Sequence, residues 1–231
     1  MNNVFKDRYP SPTAALEVSS FMSKVYGWMT LGIILTGFVA WTIGNDEQIL
    51  YVMLSNKILF YGLIIAEFGL VIWISKRINQ MSHMMAVSLF LLYAMLNGAT
   101  LSLIAMAYTA ASIQSAFFTS AIAFAGLSGF GYVTKRDLGP VGSFCTMGLF
   151  GLFGFSILSI FFPSMMGSMT SQIFGLVGII VFAGLTAYDT QQIKGMARGN
   201  ENMAIMGALK LYLDFINLFL FILRMSGDRR R

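Results

Sequence analysis

Seven apolar stretches follow one another along this chain, joined by short connections rich in Gly, Pro, Asn, Ser and Asp. They fall at residues 22–43, 58–75, 84–108, 113–134, 141–162, 171–193 and 211–223. Most approach the about 20 residues that a helix needs to cross the hydrocarbon core of a bilayer. Lipid offers no hydrogen-bond partner to an open backbone, so such segments must be helical. The pattern predicts an all-α integral membrane protein with seven transmembrane helices.

Composition closes off the alternatives. Charged residues make up 11% of the 231 residues, against about 25% in a soluble domain. No length remains for a second, soluble domain. The expected organisation is a polar N-terminal segment (1–20), a seven-helix domain (21–225) and a basic tail (226–231). The first segment lacks the basic-then-apolar order of a signal peptide, so the first span is expected to be retained.

Basic residues set the expected orientation. With the N-terminus cytoplasmic, the inner side carries Lys6, Arg8, Lys24, Lys76, Arg77, Lys135, Arg136, Lys194, Arg198 and Lys210. The first three outer loops carry Lys57 alone, beside Asp46 and Glu47. This is the positive-inside pattern, and it accounts for the net charge of +5 without nucleic acid. Arg224, Arg229, Arg230 and Arg231 break it, leaving open a last segment that re-enters instead of crossing. That segment, 211–223, offers only roughly 20 Å of helix. With Lys210 taken as the membrane border, it reads as a short helix in the middle of a bundle.

The last two apolar stretches each hold a carboxylate, Asp189 and Asp214. An ionisable residue at membrane depth marks a functional site by default. Both lie a turn or two inside the same border, on consecutive helices, and so at similar depth. Two carboxylates brought together in a dry site cannot both ionise freely, and such a pair titrates as a unit. The competing reading pairs each with Lys194, Arg198 or Lys210 as an ordinary border ion pair. Lys210, Asp214, Asn217, Phe221 and Arg224 recur at intervals of four and three, forming one largely polar face. That face suits either a hydrated path or polar contacts between packed helices. Glu67, near the middle of the second span, is a third acidic candidate, as path residue, cation ligand or tolerated neutral acid.

Other chemistries find little purchase. The lone Cys145 excludes a disulfide framework, and the lone His83 argues against multi-histidine metal sites and most His-based triads. No nucleophile–base spacing is present, so the chain is not expected to be an enzyme or to hold a cofactor or permanent metal. Gly126, Gly129, Gly131, Gly148, Gly151, Gly154, Gly175 and Gly178 lie inside apolar spans and read as close-packing positions.

Three strings resemble the Bax inhibitor-1 (transmembrane BAX inhibitor motif) family in its bacterial form: 126–143 (GLSGFGYVTKRDLGPVGS), 184–194 (GLTAYDTQQIK) and 208–223 (ALKLYLDFINLFLFIL). The resemblance implies a central last helix wrapped by the other six. It implies a di-aspartyl pH sensor at Asp189 and Asp214, and a pH-sensitive, calcium-permeable leak channel in the bacterial inner membrane. An acidic residue in the second helix and an arginine at its cytoplasmic end join this system in bacterial relatives. Glu67 fits the first, and Arg77, or Lys76 beside it, fits the second as a counter-charge. The implied partners are the bilayer, protons and Ca²⁺, held transiently near Asp189, Asp214 and Glu67, with Asn217 along the path. The alternative implied by some relatives is an interaction protein that modulates a membrane-anchored ATP-dependent protease, with the N-terminal segment as the contact.

Overall fold

The computed structural model describes residues 12–228. The expectations for residues 1–11, Lys6 and Arg8 among them, and for Arg229, Arg230 and Arg231 lie outside the described residues.

Nine α-helices make up the described chain, with no β-strand among the described residues: α1 (Pro12–Gly44), α2 (Glu47–Ser55), α3 (Lys57–Arg77), α4 (His83–Leu101), α5 (Ile104–Ala107), α6 (Ala110–Val133), α7 (Gly139–Phe161), α8 (Ser168–Gly195) and α9 (Asn202–Ser226). Seven spans are long and apolar enough to cross a membrane, α4 and α5 forming one of them. The polar connections start the helices. Asp46 accepts the Gln48 and Ile49 amides at the head of α2. Asn56, Ser82 and Thr109 cap α3, α4 and α6 in the same way, satisfying amide donors that the first turn leaves open. The polar segment 1–20 does not end where the composition changes. From residue 12 it is already the first turns of α1, because nothing between Pro12 and Phe21 breaks a helix.

α9 is the most deeply buried of the seven spans. Of its apolar stretch 67% is buried, against 33% or less in each other span. It packs against α1, α4, α6 and α8, while α3 packs on α4 and α7 on α8. α1 runs parallel to α9, from the Val25–Gly207 approach to the Thr36–Tyr212 contact. α8 runs antiparallel, with Gly207 near Ile193 at one end and Gly175 near Met225 at the other.

The expectation of a short last helix is corrected. α9 has 25 residues, or about 38 Å of rise, longer than the roughly 30 Å hydrocarbon core. The error came from reading Lys210 as a border. Ala204, Ile205, Ala208 and Leu209 before it are all buried, so the helix begins at Asn202. That side chain donates to the Ile78 and Met81 carbonyls. At the other end, Asp228 meets the start of α6 through the Thr109 amide and the Ser112 hydroxyl. The last helix therefore runs the length of the bundle and does not re-enter.

Small residues set several of these approaches. A Cβ at Gly131 would fall on the Ala187 carbonyl, and Gly148, Gly175 and Gly178 are closed by Val181, Met225 and Phe221. Gly126, Gly129, Gly151 and Gly154 face open space, so half of the expected packing glycines sit on outer faces.

Candidate functional site

One end of the bundle carries the basic residues Lys76, Arg77, Lys135, Arg136, Lys194 and Arg198. Between this end and mid-depth, α8 brings Asp189 against α9. Lys210 Nζ lies 3.2 Å from Asp189 Oδ1, and the two side chains are 31% and 14% exposed. Asp214, one turn further along α9, is 5% exposed. Its Oδ2 is buried with no hydrogen-bond partner. The charges close enough to act on it are Asp189 and Lys210. The spacing of four between Lys210 and Asp214 puts both over the same patch of α8. The three side chains form one cluster with two acids and one base.

The rest of the stripe on α9 is covered. Phe221 stacks on Phe182 with centroids 5.7 Å apart. Arg224 donates to the Ser171 hydroxyl at 3.1 Å and lies over the Phe174 ring. Asn217 donates to the Leu213 carbonyl of its own helix. Lys210, Phe221 and Arg224 of the stripe meet α8, while Asn217 turns to its own helix and Asp214 Oδ2 has no hydrogen-bond partner.

Glu67 is not part of this cluster. Its carboxylate accepts from the Thr100 hydroxyl and, at 3.2 Å, from the Asn97 amide. Asn97 Oδ1 in turn accepts from the Tyr212 hydroxyl at 3.0 Å, which lies 2.6 Å from the Thr36 hydroxyl. Tyr212 spends its proton on Asn97, so Thr36 supplies the hydrogen between them when not turned to the Ala94 carbonyl. This chain of side chains ties α3, α4, α9 and α1 together. Arg77 and Lys76 are exposed, and Arg77 donates to Gln80. The cation on Asp189 is Lys210, and neither Arg77 nor Lys76 takes that place.

Two groups were not foreseen from the residues. One is the Thr36–Tyr212–Asn97 relay. The other joins Tyr26 to Ser128 at 2.6 Å and Ser128 to Thr190 at 2.9 Å, beside Asp189. Only the hydroxyls themselves signal them, scattered through apolar runs. Among the described residues, no three His, Cys, Asp or Glu side chains gather closely enough to hold a metal ion.

Comparison with known proteins agrees with this architecture. The family profile described as Inhibitor of apoptosis-promoting Bax1 matches residues 18–231. Inner membrane protein YbhL of Escherichia coli (strain K12) is 43% identical over 240 aligned residues, covering 97% of this chain and all of the relative. An uncharacterized protein of Borreliella burgdorferi is 40% identical, covering 92% of this chain and 93% of its own length. One from Rickettsia prowazekii is 41% identical, covering 91% and 90%. With seven apolar spans and a match along nearly its whole length, the chain belongs to the Bax inhibitor-1 family of multi-pass membrane proteins.

Proposed function

We propose that this protein is a proton-gated, calcium-permeable leak path, with Asp189 and Asp214 as the sensor and α9 as the element that moves. The observation that carries the reading is the buried, unpartnered Oδ2 of Asp214 beside the Asp189–Lys210 pair. With Lys210 charged, the cluster is neutral when one proton is shared by the two acids. Loss of that proton leaves a net negative charge in a dry contact, which repels across α8 and α9 and attracts a cation. Ca²⁺ enters as cargo and is met transiently by Asp189 and Asp214, with Glu67 as a further oxygen ligand on α3.

The reading puts the chain in a bacterial inner membrane, with the basic end and the N-terminus cytoplasmic. Support comes from the inner-membrane relative and from the basic residues gathered at one end of the bundle. Calcium flux into dye-loaded liposomes tests it. Asp214→Asn and Asp189→Asn should each flatten the pH response of the flux. If both variants keep wild-type flux and wild-type pH dependence, the reading fails.

A second reading, an interaction protein acting on a membrane-anchored ATP-dependent protease, draws on the exposed first turns of α1, where Leu16 is 70% exposed. Removal of those turns would abolish a cellular effect while leaving flux intact.

A further inference from the structure

At the end of the bundle opposite the basic one, α1 and α6 part. The Tyr26–Ser128 hydrogen bond holds them together near the basic end. Beyond it they diverge and leave a cavity of about 470 Å³ between α1, the α4–α5 break, α6 and α9. Gly37, Ala40 and Gly44 on α1 and Ala105 and Ala110 across from them are too small to fill it. Its back wall is aromatic. Phe117 of α6 stands edge-to-face on Phe215 and Phe219 of α9, at 5.6 and 6.3 Å. Phe215, Ile216 and Phe219 of α9 form the floor of the cavity, each less than 9% exposed.

The lining says what fits. No charged residue lines the cavity. Its inner polar atoms are already used, Thr36 on Ala94 and Tyr212, and Ser102 on the Ala99 carbonyl. An apolar occupant therefore leaves nothing unsatisfied there. The outer faces of both walls are bare and apolar, with Ile34 and Trp41 on α1 63% and 68% exposed and Phe118 on α6 65% exposed. The cavity thus opens at membrane depth between two lipid-facing helices.

The rim is different. Asn45 and Gln114 are exposed neutral amides. Asn45 is followed by Asp46, the cap of α2, a nine-residue helix with Ile49, Tyr51, Val52 and Leu54 exposed. A short helix with so much bare apolar surface lies in the boundary between headgroups and acyl chains, which sets the rim at that level. From Thr36 to Asn45 the helix rises roughly 14 Å.

We propose that this groove seats one acyl chain of a membrane phospholipid, with the ester carbonyls at Gln114 and Asn45. A free fatty acid fits less well, because its carboxylate would meet two neutral amides and no cation. The chain fills the space beside Phe215, Ile216 and Phe219 of α9, touching the small part of each that protein leaves uncovered.

The full-length protein tests this after reconstitution with phospholipids brominated in mid-chain, which quench an indole on contact. Trp28, Trp41 and Trp73 are replaced by Phe, and Phe219→Trp places an indole on the otherwise buried groove wall. Its emission should be lost in brominated vesicles. Gly37→Phe should restore it, since a Cβ at Gly37 meets nothing within 4 Å and the ring can enter the groove. Gly37→Ala, which leaves the groove open, should be quenched like the parent. Emission that brominated lipid does not reduce, quenching that survives Gly37→Phe, or relief that Gly37→Ala produces just as fully would each overturn the proposal. So would quenching by brominated fatty acid that excess unlabelled phospholipid does not displace.

Discussion

Lys210 on α9 and Asp189 on α8 are joined by a 3.2 Å ion pair between the two helices that pack most closely in this bundle. The pair lies one turn from Asp214, so the lysine is the only base set against two acids in that cluster. Lys210→Met keeps the length of the side chain and removes the charge. It should destabilise the detergent-solubilised protein by about 1–3 kcal/mol, less than the about 3–5 kcal/mol of a fully buried broken pair, because the lysine is 31% exposed. Thermal melts of Lys210→Met, Asp189→Asn and the double variant check it. The double variant should recover part of the loss, and strict additivity would mean that the pair contributes nothing as a pair.

Tyr212→Phe removes one hydroxyl from between Thr36 and Asn97. Tyr212 is fully buried, so the freed groups meet no water. The expected loss is about 1–2 kcal/mol, the range for a polar contact between membrane helices or a buried group left unpaired. Tyr212→Phe combined with Thr36→Val should cost less than the sum of the two changes. Chemical unfolding in mixed micelles would measure this coupling.

Gly131→Ala and Gly129→Ala should part company although they are two residues apart. The first drives a methyl into the Ala187 backbone, and the second meets open space. Backbone cannot swing aside, so Gly131→Ala should lower stability by about 1–3 kcal/mol. Gly129→Ala should be neutral or stabilising by about 0.5–1 kcal/mol, since it removes the entropic penalty of glycine within a helix. Equal melting temperatures for the two variants would contradict the packing of α6 on α8.

Glu67→Gln keeps the size of the side chain but puts an amide donor where the carboxylate accepts from both Thr100 and Asn97. Thr100 can turn its hydroxyl to the Leu96 carbonyl and accept from the new amide, so the loss should stay below about 1 kcal/mol. Glu67→Leu, which leaves the Asn97 amide without this acceptor, should cost more than Glu67→Gln, about 1–3 kcal/mol in thermal melts. The order of the two would reverse if the contacts at Glu67 were incidental.

Much of this architecture is visible in the residues alone. Apolar run length marks the spans, and the basic residues mark one end. A depth for Asp189 and Asp214 measured from Lys210 as the border does not hold, because the buried helix continues back to Asn202. What stays hidden is pairwise. Lys210 looks like a border because a lone lysine must reach water; only the position of α8 shows that Asp189 meets it instead. The family resemblance offers Arg77 or Lys76 as the counter-charge, and in the structure Arg77 donates to Gln80. Tyr212 reads as one more aromatic in an apolar helix, because its hydroxyl partners come from α1 and α4, far away in sequence. The break after Leu101 leaves no trace in hydropathy, since Ser102 and Leu103 interrupt the helix without interrupting the apolar run.

Among the described helices, the most deeply buried is also the last in chain order and so the last of them to leave the ribosome. Until residues 202–226 are made, the six earlier spans must wait in the bilayer around a place that nothing yet fills. During that interval Asp189 has no Lys210 and Thr36 has no Tyr212, and the glycine-lined faces of α8 have no Phe221 or Met225 to close them. Assembly therefore ends with a single insertion event that satisfies several polar groups at once. A chain cut short before Asn202 would lack those partners, and the groups left open would be the ones that face α9.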